Sequence, residues 1–216
     1  MFRKERRRAS GQAFPNRVWE RGIIPNDVLG VQSFSFGFQS TCELVIEMNH
    51  FEVFDLPVSF DIDIDTIAQR YRDLQRAVHP DKYANAPDRE RRLAVQKATQ
   101  INEAFQTLKI PLSRGLYLLQ LQGIDTNDNS AAMDSEFLFE QMELREELAD
   151  IKQQTQPLNA LNNFLERVAQ EQKNLTETLS QQFAQKNYQS AFRTVRKFQF
   201  FTRLHEEALR LEEELI

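Results

Sequence analysis

The chain has 216 residues, of which 41% are hydrophobic, so it can bury a substantial core as one domain or two small ones. Glycine (6) and proline (7) are scarce beside helix-forming residues, which predicts an all-α protein with long helices. The net charge of -5, without one large basic face, argues against nucleic-acid binding, and one cysteine with three scattered histidines provides neither an internal disulfide nor a zinc site.

Residues 1–47 differ from the rest of the chain because they sustain no helical or strand period. We interpret them as an irregular or disordered extension. The opening "MFRKERRR" resembles the charged start of a signal peptide, but no apolar stretch follows it, and no run in the chain is long and apolar enough for a membrane span. Met48 directly precedes the first well-patterned segment, which leads to the hypothesis that translation starts there; the intact mass of the natively expressed protein would test it.

The first patterned segment predicts a short helix followed by a longer one. "NHFEVFDLP" is typical of a short apolar helix that ends before Pro57. Asp63 is a candidate N-cap for the second helix, which has to end before Pro80 because the proline ring disfavours helical geometry in the preceding residue. The core positions of this second helix are spaced three and four apart: Ile64, Ile67, Tyr71, Leu74 and Val78.

A third and a fourth helix follow a polar loop. Pro87 and Asp88 open the third helix, which we expect to pack antiparallel to the second as a hairpin. Its apolar face consists of Ala94, Ala98, Ile101, Phe105 and Leu108. "PLSRGLYLLQLQG" predicts the fourth helix, with Pro111 near its start and Gly123 as its C-terminal stop.

Residues 124–133 are rich in Asn, Asp and Ser and predict a linker to a C-terminal bundle. Asp134 is the candidate N-cap of the next helix, and breaks near Pro157 and at "KNY" predict two further helices with short connections. Their core stripes are Leu158, Leu161, Leu165, Val168, Leu175 and Leu179 in one helix and Ala191, Val195, Phe198, Phe201, Leu204, Ala208, Leu211 and Leu215 in the other. The predicted fold is a helical hairpin domain over residues 48–123 and a three-helix bundle over residues 134–216.

The loop "RAVHPDKYANAP" places His79, Pro80 and Asp81 where the second helix ends. The residue preferences at a helix C-terminus would be enough to explain these three residues, since proline often follows a helix and histidine is favourable in its last turn. A metal or catalytic site needs partner residues, and no second histidine or nucleophile lies near in sequence. Recognition suits the loop better, because a proline-stiffened turn presents a carboxylate and an imidazole to a partner's arginine at low ordering cost.

Positive charge accompanies this loop. Arg72 and Arg76 lie away from the core stripe of the second helix, and Lys82 continues the positive side into the loop. A solvated face is the alternative, and Asp73, between the two arginines, weakens the argument for binding. The charge pattern alone leaves both interpretations open.

The helix after Asp134 has large apolar residues on two sides. Its core stripe consists of Phe137, Leu144, Leu148 and Ile151. The opposite side combines apolar and acidic residues: Leu138, Phe139, Met142, Glu143, Glu146 and Asp150. Such a face is typical of a contact surface, and packing on the N-terminal domain is the alternative. In the last helix, Phe200 also lies off the core stripe.

Several motifs, in one order, resemble a known family. "YRDLQRAVHPDKY" followed by "INEAFQTL" is similar to the J-domain, in which a helix, an HPD loop and a counter-helix bind a DnaK-type chaperone and stimulate its ATPase. "PLSRGLYLLQLQG", "FLFEQMELREELADI" and "TVRKFQFFTRLHEEALRLEEEL" extend the resemblance to the HscB family of iron–sulfur cluster co-chaperones, over about residues 48–216. The family pattern does not cover residues 1–47, and a single Cys42 cannot form the cysteine-rich metal module of some eukaryotic relatives.

The resemblance implies a role for each candidate residue. The residues expected to engage the chaperone's nucleotide-binding domain are His79, Pro80 and Asp81, and those expected to meet its acidic surface are Arg72, Arg76 and Lys82. The residues expected to bind an IscU-type scaffold, on which clusters are assembled, are Leu138, Phe139, Met142, Glu143, Glu146, Asp150 and Phe200.

We therefore expect a bacterial, cytoplasmic co-chaperone that brings the scaffold to a specialised, HscA-like DnaK-type chaperone and activates the partner's ATPase without being an enzyme. We expect no metal, cofactor, nucleic-acid or membrane partner. One alternative is a general J-protein, for which an unrelated unfolded peptide would compete for the face of Leu138, Phe139 and Met142. Another is a metal-dependent hydrolase using His79 and Asp81, which would show turnover or metal uptake by the isolated protein.

Overall fold

The computed structural model describes residues 48–83, 86–126 and 135–216, which belong to one compact unit of the chain. The regular elements in these three ranges are all helical, so the all-α prediction is confirmed. The α-helices are α1 His50–Val53, α2 Ile64–Ala77, α3 Asp88–Lys109, α4 Pro111–Leu121, α5 Ser135–Asp150, α6 Pro157–Ala184 and α7 Tyr188–Leu215. Two short 3₁₀ turns are Pro80–Tyr83 and Ile151–Gln153.

The first two helices begin at side-chain caps. Asn49 and Glu52 form a reciprocal capping box at the start of α1. At the start of α2, Asp63 accepts hydrogen bonds from the Asp65 amide at 3.0 Å and the Thr66 hydroxyl at 2.6 Å, which confirms the predicted N-cap. The hydrogen bonds from Thr66 also lower the pKa of the Asp63 carboxyl.

Helices α2 and α3 pack side by side and run antiparallel. The Tyr71 hydroxyl and the Gln75 side-chain amide both donate to Oδ1 of Asn102 at 2.7 Å. The Tyr71 ring also stacks on Phe105 with centroids 4.2 Å apart. Gln75 reaches the Ala98 carbonyl at 3.5 Å, so the later residue of α2 meets the earlier part of α3, as a helical hairpin requires.

Helix α4 joins this hairpin to the C-terminal helices, because it packs on α3 as well as on α6 and α7. Gly115 allows the close approach: a Cβ atom there would lie 3.3 Å from Cγ2 of Val195 and 3.6 Å from the Phe60 ring. Phe60 in turn stacks on Phe183 of α6 with centroids 5.2 Å apart. The N-terminal hairpin and the C-terminal helices therefore share a packed interface.

Arg114, in the first turn of α4, is a buried cation that the sequence patterns did not identify. Its Nη1 donates to the Leu108 carbonyl at 3.0 Å, in the last turn of α3, and its guanidinium lies 4.8 Å from the centroid of the Phe60 ring. Burial lowers the pKa of Arg114, and the charge of Asp61 opposes this effect. Asp61 also accepts a hydrogen bond from the Ser180 hydroxyl at 2.7 Å. Arg114 thus connects the end of α3 to the segment that packs on α6.

The C-terminal bundle is built on the α6–α7 hairpin. The Lys152–Glu214 ion pair brings the chain just before α6 next to the end of α7, so the two helices run antiparallel. Helix α5 packs on α7 and is tied to α6 by the ion pair between Glu147 and Arg167. The buried side chains form one continuous core from α1 to α7.

Three of the described helices end with a residue in left-handed backbone geometry: Asp55 after α1, Gly123 after α4 and Lys186 after α6. After α4, Gly123 has φ of 72° and closes a Schellman motif, so the predicted stop is confirmed. After α6, Lys186 adopts φ of 56°, and the next amide, of Asn187, donates to the Gln182 carbonyl at 2.8 Å. A side chain with a Cβ atom is strained in this geometry by roughly 1 kcal/mol, so a lysine at this position is no sequence signal for the motif after α6.

Some predicted core positions are wrong. Ile64 and Leu158 are exposed, because each lies in the first turn of its helix, where packing neighbours are present on only one side along the axis. Phe164 is fully buried although it lies outside the predicted stripe of α6. The predicted cap Asp134 and the irregular extension over residues 1–47 lie outside the described residues. In the part of the chain that is described, none of the helices combines the length and the apolar character needed to span a bilayer.

Candidate functional site

The His79–Asp81 loop forms a small closed turn after α2. The Val78 amide donates to the Leu74 carbonyl at 3.0 Å, which ends the helix, and Pro80 begins the 3₁₀ turn. The Lys82 amide donates to the His79 carbonyl at 3.0 Å, and His79 Nδ1 accepts a hydrogen bond from the Asp81 amide at 3.3 Å. The imidazole therefore fixes the backbone of the residue that carries the carboxylate.

The Asp81 carboxylate points into solvent, with 90% of the side chain exposed. Its Oδ2 lies 3.5 Å from His79 Nδ1. The hydrogen-bond partner of that nitrogen is the Asp81 amide, and no hydrogen bond joins it to the carboxylate. Within the described ranges the carboxylate accepts no other hydrogen bond, so a partner's cation can bind it without displacing an existing contact.

The predicted cationic residues near this loop are all exposed. Arg72 and Arg76 lie one turn apart on the outer face of α2, as the helical period predicts. Arg76 pairs with Asp73 at 3.3 Å, and both side chains are mostly exposed. Such a surface pair contributes at most about 1 kcal/mol, so a partner's carboxylate can replace Asp73. Lys82 is exposed in the 3₁₀ turn, and its place in binding stays a prediction.

The outer face of α5 exposes three large apolar side chains. Leu138 is 47% exposed, Phe139 67% and Met142 58%. The predicted exposure is confirmed, and the alternative that this face packs on the N-terminal helices is wrong. On the opposite side of α5, Phe137 and Leu148 are buried, as predicted.

Acidic residues run along the same face toward the end of α5. Glu143, Glu146 and Asp150 are exposed, and they are spaced three and four residues apart. Like charges at this spacing destabilise a helix, and α5 has no basic residue in its last turn to balance the negative end of its dipole. Glu147 is compensated by Arg167, whereas these three are not paired within the described residues. The repulsion among these three carboxylates therefore lowers the stability of the free protein, and a bound cationic partner would remove this repulsion.

Phe200 does not lie on this open face. It is 7% exposed, and its ring meets Phe137 of α5 edge-on with centroids 5.6 Å apart. The prediction that Phe200 lies off the core is wrong, because α7 contacts α5 as well as α6 and so buries a wider arc than one stripe. Its position is directly beneath the start of α5, where it supports the helix that carries Leu138 and Phe139.

Two concave features in the described part of the chain are small. A cavity of about 210 Å³ lies where α4, α6 and the Phe60 segment meet, and one of about 140 Å³ lies between α5 and α6. Across the described ranges, no three His, Cys, Asp or Glu side chains are grouped as ligands for a metal ion, and His79 and Asp81 have no third ligand beside them. The candidate site therefore consists of two exposed surfaces, the His79–Asp81 loop and the α5 face.

Comparisons with known families and relatives match both parts of the chain. The family described as the DnaJ domain matches residues 49–117, and the family described as the HSCB C-terminal oligomerisation domain matches residues 133–209. A co-chaperone protein HscB homolog from Photobacterium profundum is 45% identical over 167 residues, which are 77% of this chain and 98% of the relative. One from Shewanella baltica is 40% identical over 173 residues, which are 78% of this chain and 99% of the relative.

Solved structures give the same result. Chaperone HscB from Vibrio cholerae is 43% identical, with a TM-score of 0.72 over 78% of this chain and 100% of that one. The human co-chaperone protein HscB is 29% identical, with a TM-score of 0.72 over 85% of this chain and 96% of that one. The predicted family and fold class are confirmed by these similarities.

Proposed function

The chain belongs to the HscB family of J-domain co-chaperones, which act in iron–sulfur cluster biogenesis, and from this premise we propose that it links an IscU-type scaffold to an HscA-like DnaK-type chaperone. The His79–Asp81 loop binds the chaperone and stimulates its ATPase, so the catalytic groups belong to the partner. The α5 face holds the scaffold. Hydrolysis then fixes the chaperone on the scaffold, and the cluster can be passed on. The protein acts in the cytoplasm of a bacterium.

The observation that carries this proposal is the presence of two exposed surfaces of different chemistry on one chain. Asp81 offers a carboxylate on a turn already fixed by a hydrogen bond to His79, which suits a charge-assisted bond to an arginine. Arg72, Arg76 and Lys82 add positive charge for an acidic surface of the same partner. Little ordering is needed on binding, because the turn is already formed.

The α5 face has the composition of a binding surface for a folded protein. Leu138, Phe139 and Met142 supply an apolar centre, and Glu143, Glu146 and Asp150 supply a charged edge. Central apolar side chains of this kind contribute most of the affinity in many interfaces, while charges at the edge select the partner and speed its approach. Phe200 contributes by supporting α5 from below.

Both surfaces lie on one body with a continuous core, so a scaffold bound at one surface is held at a raised effective concentration near a chaperone bound at the other. A scaffold held on α5 is thereby delivered to the chaperone that the loop has engaged. The coupling of the two events needs no direct contact between the two surfaces.

Asp81→Asn tests the loop. The substitution keeps the shape of the side chain and its backbone amide but removes the negative charge, so we expect stimulation of the chaperone's ATPase to be lost while scaffold affinity stays unchanged. Steady-state ATPase rates of an HscA-like chaperone and calorimetric titration with an IscU-type scaffold measure the two effects. If a folded Asp81→Asn variant lost both ATPase stimulation and scaffold binding, the proposal that the two partners bind at separate surfaces would be contradicted.

Leu138→Ala combined with Phe139→Ala tests the α5 face. We expect scaffold affinity to fall by about 2 to 4 kcal/mol, while ATPase stimulation in the absence of scaffold survives. Leu209→Ala is the matched control, since Leu209 is a similarly exposed leucine on α7. Unchanged affinity in the double variant would exclude this face as the scaffold site.

The exposed apolar side chains also favour a second function, delivery of unfolded clients by a general J-protein. In that case an unrelated unfolded peptide would displace the scaffold from the α5 face. If the protein is instead a specific adaptor, the peptide should not displace the scaffold from the α5 face, even at concentrations that saturate the chaperone.

A further inference from the structure

Two cations contact the aromatic pair of Phe137 and Phe200 beneath the start of α5. The guanidinium carbon of Arg145 is 5.6 Å from the centroid of the Phe200 ring, and Nζ of Lys197 is 4.8 Å from the centroid of Phe137. The two rings are themselves in edge contact at 5.6 Å. Arg193 lies one turn before Lys197 on α7 and is also exposed.

Neither Arg145 nor Lys197 forms an ion pair with any carboxylate that the structure describes, although α5 is rich in acidic residues. The reason is visible in the sequence: the residues three and four positions from Arg145 are Gln141, Met142, Leu148 and Ala149. By contrast, Arg167 pairs with Glu147 on the α6 side of the same helix. Arg145 is exposed and Lys197 partly exposed, and a cation–π contact at the surface contributes only about 0.5 to 1 kcal/mol, so these charges remain available to an anionic partner.

The cations border the apolar face on one edge. Met142 and Arg145 are three residues apart, so they are neighbours on the helix surface. Lys197 lies in the same region as Arg145, because the rings that the two cations contact, Phe137 and Phe200, are themselves in contact. The acidic residues border the other edge, because Phe139 and Glu143 are four residues apart. An apolar centre is thus flanked by a cationic edge and an acidic edge.

We propose that Arg145, Lys197 and Arg193 form a cationic strip that binds carboxylates of the scaffold, so that the scaffold surface of this chain has two edges of opposite charge. The proposal rests on the proposed function and deepens it, because it specifies the charge pattern of the partner: carboxylates against α7, cations against Glu143, Glu146 and Asp150, and apolar side chains between them. A polyanion such as nucleic acid is not the occupant, since the acidic edge would repel it.

The opposite charges fix the orientation of the bound scaffold. In the reverse orientation, carboxylates would meet the acidic residues of α5 and cations would meet Lys197, and like charges placed together in an interface disfavour binding strongly. An apolar centre alone would accept either orientation. The strip therefore determines which side of the scaffold is turned toward the bound chaperone.

Arg145→Glu combined with Lys197→Glu tests the strip. We expect the association rate with an IscU-type scaffold to fall at least about tenfold, because edge charges act mainly on the rate of encounter. Arg145→Gln with Lys197→Gln should give a smaller decrease in the same direction. Lys173→Glu, at an exposed lysine of α6, is the matched control and should leave the rate unchanged. The Gln pair keeps the test valid if the Glu pair disturbs folding, which circular dichroism would reveal.

The outcomes separate this inference from the proposed function. If the charge variants bind like the wild type while Leu138→Ala with Phe139→Ala weakens binding, the strip is excluded and the scaffold site stands. If neither set changes binding, the scaffold site itself is excluded, and the strip with it. If light scattering shows a dimer of the wild type that Arg145→Glu with Lys197→Glu converts to a monomer, the occupant is a second copy of this chain and the proposal is overturned.

Discussion

His50 stacks on Tyr117 with ring centroids 4.2 Å apart, and its backbone amide donates to the Tyr117 hydroxyl at 2.9 Å. Burial of the imidazole lowers the pKa of His50, although the charge of Glu103 acts in the opposite direction. The folded protein therefore binds this proton less readily than the unfolded chain does. The resulting contribution to stability is present above the pKa of the unfolded chain and is lost as pH falls below it.

His50→Phe should reduce the pH dependence of stability. The phenylalanine keeps the stack on Tyr117 but does not titrate, so the wild type should lose more free energy of unfolding than the variant when pH falls from about 8 to about 5. Urea unfolding at the two pH values measures both losses. Equal losses in His50→Phe and the wild type would contradict the role of His50 burial.

For single residues, the sequence predicts the features that depend on neighbours along the chain. The cap at Asp63 and the stop at Gly123 were predictable because their hydrogen bonds involve residues only a few positions away. Arg114 was not, since its burial depends on Phe60 from another segment, and an arginine is by default expected at the surface. The hydrogen bond that fixes the Asp81 amide on His79 was equally invisible without coordinates.

Among the helices, α6 ends in a motif that a lysine fits poorly. Lys186 holds φ of 56°, where its Cβ atom crowds the backbone, yet the Asn187 amide closes the helix with a bond of 2.8 Å. The short connection to α7 keeps this strained backbone geometry, because the packing of α6 on α7 fixes where the connection begins and ends.

Lys186→Gly should therefore stabilise the protein by up to about 1 kcal/mol, since removal of the Cβ strain outweighs the greater freedom of glycine in the unfolded chain. Chemical denaturation measures the change. Lys173→Gly, in the exposed middle of α6, is the control and should destabilise by about 1 kcal/mol. A loss of stability in Lys186→Gly would show that the left-handed residue is not strained.

The predicted helix stripes succeed at positions that face the main packing partner of a helix, which for α6 is α7. Leu161, Val168 and Leu179 of α6 are buried as the period requires. Phe200 of α7 is buried against a second neighbour, α5, which a single stripe cannot represent. The period therefore predicts the existence of a helix and its main face, but the number of neighbours is a property of the tertiary fold.

For the whole molecule, the decisive feature is the interface of α4 with α6 and α7. A Cβ atom at Gly115 would lie within 4 Å of Val195, Phe60 and Leu179, so the helices approach closely at this point. The sequence predicted two helical domains, and it contained no sign that α4 would pack on the second of them, because that contact joins segments far apart in the chain. The continuous core indicates that the described helices unfold together.

Gly115→Leu should separate the two halves of the molecule. The larger side chain cannot fit beside Val195, so amide hydrogens of α3 should exchange at a lower free energy of opening than those of α7, whereas in the wild type both should report global unfolding. Native-state hydrogen exchange measures both sets. Gln120→Leu, on the exposed side of α4, is the control. Equal protection of both helices in Gly115→Leu would refute the importance of this interface.

The row of carboxylates Glu143, Glu146 and Asp150 on α5 has opposite consequences for the free and the bound protein when ionic strength changes. Dissolved salt screens charges over about 10 Å at 0.1 M, so it weakens the repulsion within the row and makes free α5 more stable. The same screening weakens the attraction of the row for a cationic partner. Conditions that favour the isolated protein in a thermal assay are therefore those that disfavour its complex, and an increase in melting temperature with salt carries no information about binding.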